Sequence, residues 1–239
     1  MKRLVVLLLT ICISIAGWCQ HTINTGNHRH IFSGGGTSLI AYVCNNNNSA
    51  SSAINTTGAN LIVFAWSDTI AASPVFTDNK SNGSATISPA SYTATTPVLR
   101  IGYWSNPTVG TGHTFTSTGG TLPGYCVYAF HEGNGLYDAG IAPSPVTCTG
   151  TTSCTTNTIT PPSGQHLVFT ASTIPQNGVI PTVNNGFAIP GGTGYQVGVP
   201  GTNYAVGGAT LTQNPGSAIS ATWAGYSSGN AVVSIVSFN

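Results

Sequence analysis

The sequence predicts an all-β fold, an antiparallel β-sandwich or jelly roll made of two related halves. Short runs rich in β-branched and aromatic residues recur along the chain, and clusters of glycine, proline, serine and asparagine separate them. No segment keeps the apolar period of about 3.6 residues that marks an amphipathic helix. Many short strands with turns between them are typical of sandwiches and jelly rolls.

The apolar runs define the candidate strands. In the first part of the chain these are residues 39–44, 61–66, 85–87, 98–104, 113–117 and 125–130. In the second part they are residues 158–160, 167–171, 205–211, 218–223 and 231–238. The run Leu-Ile-Val-Phe-Ala-Trp at 61–66 is apolar at every position, which predicts a central strand covered on both faces. The last run, 231–238, is also predicted to be buried.

The two parts of the chain resemble each other at three landmarks that recur about 106 residues apart. The matched segments are residues 58–65 with 164–171, Asn106-Pro107 with Asn214-Pro215, and residues 126–130 with 232–236. The shared order of these landmarks predicts a duplicated β-unit. We therefore expect a first β half over residues 20–140 and a second over 141–239, packed as one unit. The linker near residues 140–154 is rich in proline and threonine.

The first 19 residues have the layout of a secretory signal peptide. Lys2 and Arg3 precede an apolar run over residues 5–15, and small residues follow at Ala16 and Gly17. This run is too short for a membrane helix of about 20 residues. Cleavage after Ala16 and cleavage after Cys19 are both open. We expect the mature chain to be secreted, extracellular or at the cell surface, without a membrane span.

The mature chain carries very little charge. Three basic residues, Arg29, Lys80 and Arg100, stand against four acidic residues, Asp68, Asp78, Glu132 and Asp138, a formal balance of −1. Such a surface attracts no polyanion, so the sequence excludes nucleic-acid binding. A neutral surface also does not repel its own copies, which favours self-association.

Four cysteines follow the predicted leader: Cys44, Cys126, Cys148 and Cys154. An even number in an exported chain predicts two disulfides, for which three connectivities exist. Cys148 and Cys154 enclose a short loop of threonine, glycine and serine, which makes them the natural local pair and leaves Cys44 for Cys126. Their spacing matches no zinc motif.

The segment Asn-Pro-Thr-Val-Gly-Thr-Gly-His-Thr-Phe at 106–115 follows a Gly-x-x-Leu-Ile-Val strand and precedes another apolar strand. This pattern resembles a loosely defined group of exported β-sandwich proteins found in soil bacteria and among phage virion proteins. The resemblance spans most of the mature chain and implies a sandwich with a duplication. The group has no assigned activity, so the resemblance implies no catalytic residue, and the cysteines are not part of its pattern.

Two patterns in the sequence have the composition of catalytic sites. Residues 225–229 spell Gly-Tyr-Ser-Ser-Gly, but a nucleophile elbow requires an acid and a histidine later in the chain, and neither follows. We predict a polar hairpin turn there. Glu132 and Asp138 flank a glycine-rich loop and could converge as a carboxylate pair, as could Asp68 and Asp78; either pair could equally form turns. We predict no catalytic residue.

The histidines are interpreted as non-ligating, so we predict no metal and no cofactor. His28 and His30 would share one face of a strand, close to His21, and two imidazoles could meet one ion there. The alternative interpretation is a flexible, polar N-terminal segment. His113 and His166 stand at strand starts, where surface or hydrogen-bonded positions are expected.

Four aromatic residues are candidates for ligand binding: Tyr103, Trp104, Trp223 and Tyr226. Tyr103 and Trp104 alternate on one predicted strand, so one of them faces away from the core, and Trp223 and Tyr226 stand at the matching position of the second half. Exposed rings against sugar faces are how sandwich lectins bind glycans. The alternative interpretation is core packing.

These observations favour a secreted, non-enzymatic structural, assembly or adhesion protein, whose partners are its own copies or a surface glycan. A carbohydrate-binding, lectin-like module is the first alternative. A secreted enzyme acting on polysaccharide is the second alternative.

Overall fold

The computed structural model confirms the predicted all-β fold. The described residues contain no α-helix, and only a short 3-10 turn at Pro190–Gly192 interrupts the strands and loops. The structure describes residues 37–46, 48–68, 73–91, 97–121, 123–132, 134–138, 143–162, 164–175, 179–192, 197–198, 204–213 and 217–239. The predicted signal peptide at 1–19 lies outside the described residues.

Thirteen strands follow one another along the described chain. The first seven are β1 (Ser38–Asn45), β2 (Leu61–Asp68), β3 (Val75–Asp78), β4 (Thr86–Ile87), β5 (Val98–Ser105), β6 (Phe115–Thr118) and β7 (Gly124–His131). The other six are β8 (Val146–Thr155), β9 (His166–Ile174), β10 (Thr182–Val183), β11 (Val197–Gly198), β12 (Ala205–Gln213) and β13 (Thr222–Phe238).

The strands form two large antiparallel sheets, one from each part of the chain. The first sheet has the order β1-β7-β2-β5-β4, and β3 pairs with β6 as a separate two-stranded sheet. In the second sheet the order is β8-β13-β9-β12-β11, and β10 also pairs with β13. No described strand of one part pairs with a strand of the other.

The two sheets pack face to face, and both are also covered on their outer faces. Alternate residues of β2 show this arrangement: Leu61 and Val63 belong to the cluster between the sheets, whereas Ile62 and Phe64 belong to a cluster on the outer face of the first sheet. A third cluster, which includes Trp223, covers the outer face of the second sheet. Every residue of β2 is buried, as the continuous apolar run predicts.

The two sheets share one strand order, because β1, β7, β2, β5 and β4 hold the same places as β8, β13, β9, β12 and β11. The pairing of β3 with β6 likewise matches the pairing of β10 with the start of β13. Each of these strands also comes in the same order along its own part of the chain. This order is what a duplicated unit would produce, and the duplication itself stays a prediction.

A small hydrogen-bond motif also occurs once in each part. The amide of Ser51 donates to the carbonyl of Phe115, and the amide of Phe115 donates to the Ser51 hydroxyl. Thr156 and Ala221 exchange the same two hydrogen bonds in the second part. Each motif joins the loop that follows the first strand of its part to a residue that precedes the last strand, at the start of β6 in the first part and just before β13 in the second.

The strand pairing differs from the prediction for one of the three landmarks that relate the two parts of the chain. Leu61 of β2 lies opposite Phe130, and Leu167 of β9 lies opposite Phe238. If Leu61 and Leu167 correspond, then Phe130 corresponds to Phe238, two residues beyond the predicted match of 130 with 236. A shift of two keeps every side chain on its face of the sheet, so the apolar pattern cannot detect it.

The two disulfides are the ones that the spacing favoured. Cys44 and Cys126 lie directly opposite each other in β1 and β7 and are bonded, with their Cα atoms 4.0 Å apart. Cys148 and Cys154 are bonded within β8, with their Cα atoms 5.7 Å apart. The second bond closes a bend at Gly150, whose φ of 67° suits glycine.

Several predicted elements differ from the observed ones. The linker region near 140–154 contains β8, and the segment 158–160 forms only an isolated bridge at Ile159. Of the predicted strand at 218–223 only residues 222–223 lie in a regular strand, and Ile219 forms an isolated bridge with Ile159. Residues 222–223 and the predicted strand at 231–238 belong to one continuous strand, β13. The predicted hairpin turn at 225–229 is therefore wrong: these residues form an irregular stretch inside β13, where its register with β8 breaks.

Candidate functional site

All four acidic residues of the chain lie inside the protein. Asp68 and Glu132 are each 1% exposed, and the side chains of Asp78 and Asp138 are 0% and 5% exposed. Carboxylates are almost never buried unless they are paired or hydrogen-bonded. The partners of these four groups therefore define the candidate site.

Asp138 contacts the buried imidazole of His166. The linker that carries Asp138 runs beside the end of β13, where the Asp138 amide donates to the carbonyl of Ser237. Asp138 Oδ2 lies 2.7 Å from His166 Nδ1 and accepts a hydrogen bond of 2.5 Å from Ser237 Oγ. The carboxylate thereby joins the linker to β9 and β13.

Glu132 lies next to this pair, at the end of β7. Its carboxyl group accepts hydrogen bonds from the Thr37 hydroxyl and from the backbone amide of Leu167. Burial raises the pKa of Glu132 above its usual value, although these two hydrogen bonds and His166 oppose the rise and Asp138 adds to it. The structure thus brings Glu132 and Asp138 together, as the sequence suggested, with His166 as the third member.

The arrangement of His166 decides what this cluster can do chemically. An imidazole held by a carboxylate at Nδ1, with Nε2 free, is the arrangement of a general base in hydrolases. Here His166 Nε2 is buried and has no hydrogen-bond partner, and the nearby Ser237 hydroxyl bonds to Asp138 instead. Within the described residues His166 Nε2 meets no hydrogen-bonding group, and the observed contacts of the cluster join the linker to β9 and β13.

Asp78 and His113 form a second buried pair, on the outer side of the first sheet. His113 Nε2 lies 2.9 Å from Asp78 Oδ2, and His113 Nδ1 lies 2.8 Å from the Thr56 hydroxyl. Burial opposes ionisation of Asp78, but hydrogen bonds from Asn82 and His113 outweigh it, so the pKa of Asp78 lies below its usual value. Burial lowers the pKa of His113. This pair is fully hydrogen-bonded and closes the turn after β3.

Asp68 ends β2 and accepts a hydrogen bond of 2.8 Å from the backbone amide of Thr121. A Cβ atom at Gly120 would collide with the Asp68 carboxylate, so glycine is required for this close approach. Asp68 and Asp78 accordingly stabilise different loops and do not form the carboxylate pair that the sequence allowed.

The two candidate tryptophans pack in the outer clusters. Trp104 is 6% exposed, and its Nε1 donates to the carbonyl of Gly83 at 3.2 Å. Trp223 is fully buried, and its Nε1 donates to the Thr170 hydroxyl at 3.0 Å. Neither ring presents a face to solvent.

Of the two candidate tyrosines, Tyr226 is buried and Tyr103 is half-buried. Tyr103 faces the space between the sheets, where its ring stacks on Tyr137 with the centroids 4.9 Å apart. Tyr226 is 4% exposed and belongs to the outer cluster of the second sheet. Core packing accounts for the burial of Trp104, Trp223 and Tyr226, and ligand binding by these residues or by the half-buried Tyr103 stays a prediction.

The N-terminal histidines at 21, 28 and 30 lie outside the described residues, so their interpretation stays a prediction. Within the part of the chain that the structure describes, no three histidine, cysteine or acidic side chains are grouped so as to hold a metal ion. The same part contains no helix of sufficient length and hydrophobicity to cross a membrane.

Comparisons of this chain with protein-family models, with curated proteins and with solved structures found no match. The resemblance to exported sandwich proteins of soil bacteria and phage virions therefore stays a prediction.

Proposed function

We propose that this chain is an exported structural protein without enzymatic activity, a subunit of an extracellular assembly or an adhesin. The observation that carries the proposal is the burial of all four acidic side chains, which bond to the loops and strands of the chain itself. Acid–base or nucleophilic catalysis requires such groups to reach a substrate. Here they hold the sandwich together.

The outer surface is correspondingly poor in charge. With the carboxylates inside, Lys80 and Arg100 are the basic side chains among the described residues, and each is only partly exposed. Lys80 Nζ donates to the carbonyl of Thr111 at 2.9 Å. A surface of serine, threonine, asparagine and glycine lacks the charge repulsion that keeps copies of a protein apart. The two disulfides support a place outside the cytoplasm.

The sheet edges supply a route for assembly. Among the described strands, β1 ends the first sheet and β8 ends the second, and neither contains a charged residue or a proline. Natural proteins usually protect long edge strands with such residues. Across the sandwich β12 contacts β2 and β7, whereas β5 contacts β9 and β13. This stacking puts β1 and β8 on opposite flanks, where two neighbouring copies can each add a strand.

The test is the association state of the disulfide-bonded chain from residue 20 to residue 239. We expect sedimentation velocity to show association that increases with protein concentration and changes little with salt. Lysine substitutions at Thr147 and Thr149 of β8, both exposed, should weaken it. Matched lysine substitutions at the exposed loop residues Thr57 and Ser84 should leave it unchanged. A wild-type chain that stays monomeric at every concentration contradicts the assembly proposal.

One observation favours the second alternative, a secreted enzyme acting on polysaccharide: Glu132, Asp138 and His166 lie in one cluster. A sugar-release assay on a panel of polysaccharides, with wild type and His166→Asn side by side, distinguishes the two proposals. Turnover by the wild type that His166→Asn abolishes, while circular dichroism shows an intact fold, supports the enzyme and contradicts the structural role.

A further inference from the structure

The two sheets place equivalent phenylalanines at the two ends of the interior. Phe130 of β7 lies opposite Leu61 in the first sheet, and Phe238 of β13 lies opposite Leu167 in the second. All four side chains belong to the cluster between the sheets. The surroundings of the two phenylalanine rings can therefore be compared position by position.

The residue on the other side of each phenylalanine differs between the two ends. Leu39 of β1 lies opposite Phe130, whereas Tyr137 of the linker forms the equivalent antiparallel bridge with Phe238. Both Leu39 and Tyr137 pack against the cluster between the sheets. One end therefore has an aromatic ring where the other has a smaller aliphatic side chain.

The residue that the facing sheet contributes at each end also differs in size, and again the larger one lies at the Tyr137 end. Tyr103 of β5 lies opposite Val63, and Thr210 of β12 lies opposite Phe169. Val63 and Phe169 are equivalent by the register of their sheets, since each stands two residues after the leucine that lies opposite the end phenylalanine. Thr210 accordingly holds the place of Tyr103.

At the Tyr137 end the space is filled. The Tyr137 ring stacks on Tyr103 at 4.9 Å between centroids and lies 5.7 Å from the Phe238 ring. Its hydroxyl group lies 3.0 Å from Ser88 Oγ, so the buried phenol also has a polar partner. The space between the sheets beside Phe238 therefore accommodates a phenol ring.

At the Leu39 end the smaller side chains leave a cavity of about 250 Å³ that is open on one side. Its described lining includes the apolar residues Leu39, Phe130 and Leu167 and the hydroxyl-bearing residues Thr37, Ser38 and Thr210. An engineered apolar cavity of roughly 150 Å³ in another protein takes up benzene, so a ring fits here. None of the lining residues carries a charge, and hydroxyl groups accompany the apolar ones.

We propose that this cavity binds a small molecule that carries a phenol ring, in the place that Tyr137 takes at the other end. The ring packs between Phe130 and Leu167, and its hydroxyl group bonds to the threonine and serine hydroxyls of the lining. The uncharged lining disfavours anions and cations, since it would leave a partly buried charge without a partner. The inference goes beyond the proposed structural role and does not depend on it.

The experiment uses 4-methylphenol, the side-chain analogue of tyrosine, and the disulfide-bonded chain from residue 20 to residue 239. Ligand-observed NMR should show saturable binding with a dissociation constant of about 0.1–1 mM, which is reasonable for so few atoms. Toluene, which lacks the hydroxyl group, should bind several-fold more weakly, and methyl glucoside should not bind.

Two variants fill the cavity with the residue types found at the other end. Thr210→Tyr copies Tyr103 and Leu39→Tyr copies Tyr137, and each should weaken binding at least about tenfold. Val75→Tyr is the matched control, because it adds a tyrosine at an exposed position far from the lining and should leave binding unchanged. Circular dichroism checks the fold of each variant, and either filling variant suffices if the other fails to fold.

The proposal is overturned if wild-type protein shows no saturable binding of 4-methylphenol. It is also overturned if a folded filling variant binds as tightly as wild type, because the ligand then sits elsewhere. Tighter binding of methyl glucoside than of 4-methylphenol would likewise reject a phenol site.

Discussion

Removing the two disulfides one at a time should cost unequal amounts of stability. The bond between Cys44 and Cys126 closes a sequence separation of 82 residues, whereas the bond between Cys148 and Cys154 closes only 6. In the chain-entropy treatment these loops correspond to about 4.5 and about 2 kcal/mol of stabilisation. The difference of about 2.5 kcal/mol corresponds to a shift in melting temperature of about 5–10 °C for a domain of this size.

The assay is guanidinium denaturation of the double-alanine variants C44A/C126A and C148A/C154A, followed by tryptophan fluorescence. Alanine is preferred to serine because Cys126 and Cys154 are buried, and a serine hydroxyl at either position would have no water to bind. Wild type reduced with dithiothreitol provides the reference without either bond. Equal midpoints, or a greater loss from the short-loop variant, would refute the reasoning from loop length.

Three further predictions concern single residues. Burial raises the pKa of Glu132 in the folded protein, so its contribution to stability is present below the usual glutamate pKa of 4.5 and is lost as pH rises through the folded-state pKa. In urea titrations the free energy of unfolding of Glu132→Gln should therefore rise relative to that of wild type as pH increases. A difference between the two proteins that stays constant with pH would contradict this. Burial lowers the pKa of His113, so wild type should lose stability as pH falls below 6.5, where the histidine of the unfolded chain takes up a proton. His113→Asn should reduce this acid sensitivity, while it lowers the free energy of unfolding at neutral pH by about 1–3 kcal/mol. A Cβ atom on residue 102 would lie only 1.9 Å from Cζ at the edge of the Phe64 ring, so Gly102→Ala should lower the free energy of unfolding by about 1–3 kcal/mol or more. A neutral effect on urea unfolding would be inconsistent with this packing.

The fold class and the central strand could be predicted because they follow from local sequence. An apolar run without alternation, as at 61–66, requires cover on both faces wherever the strand lies. The cysteine pairs could also be predicted, since few connectivities exist for four cysteines and one pair is local.

Strand β8 could not be predicted in the same way. Its ten residues are mostly threonine, serine and glycine and are largely exposed, so they show no apolar pattern. They become a strand because they pair with β13, which is a contact between distant parts of the chain. The predicted linker at 140–154 was wrong in this part for that reason.

The aromatic residues show a related limit. Alternation along β5 correctly places Tyr103 and Trp104 on opposite faces of the first sheet. The prediction that one of the two faces away from the core would hold only for a sheet that has one face in solvent. Both faces are covered here, the inner one by the second sheet and the outer one by loops and the two-stranded sheet of β3 and β6. That cover is assembled from distant segments, and the strand itself contains no sign of it.

The cluster around His166 was predicted only in part. Glu132 and Asp138 are close in sequence, so their convergence could be expected, but His166 lies 28 residues beyond Asp138. The contact arises because the linker runs alongside the end of β13 and brings Asp138 over β9. Two of the four acidic residues of the chain pair with buried histidines, Asp78 with His113 and Asp138 with His166. The sequence shows both residue types but not the contacts between them.

The central claim is that the carboxylates of this chain work inside the protein and leave its surface neutral. Carbodiimide coupling of glycine ethyl ester to the folded, disulfide-bonded chain, with peptide mass spectrometry to locate the labels, tests it most directly. We expect Asp68, Asp78, Glu132 and Asp138 to stay unlabelled in the native protein and to label readily after unfolding in guanidinium. Rapid labelling of any of the four in the native protein would contradict the account.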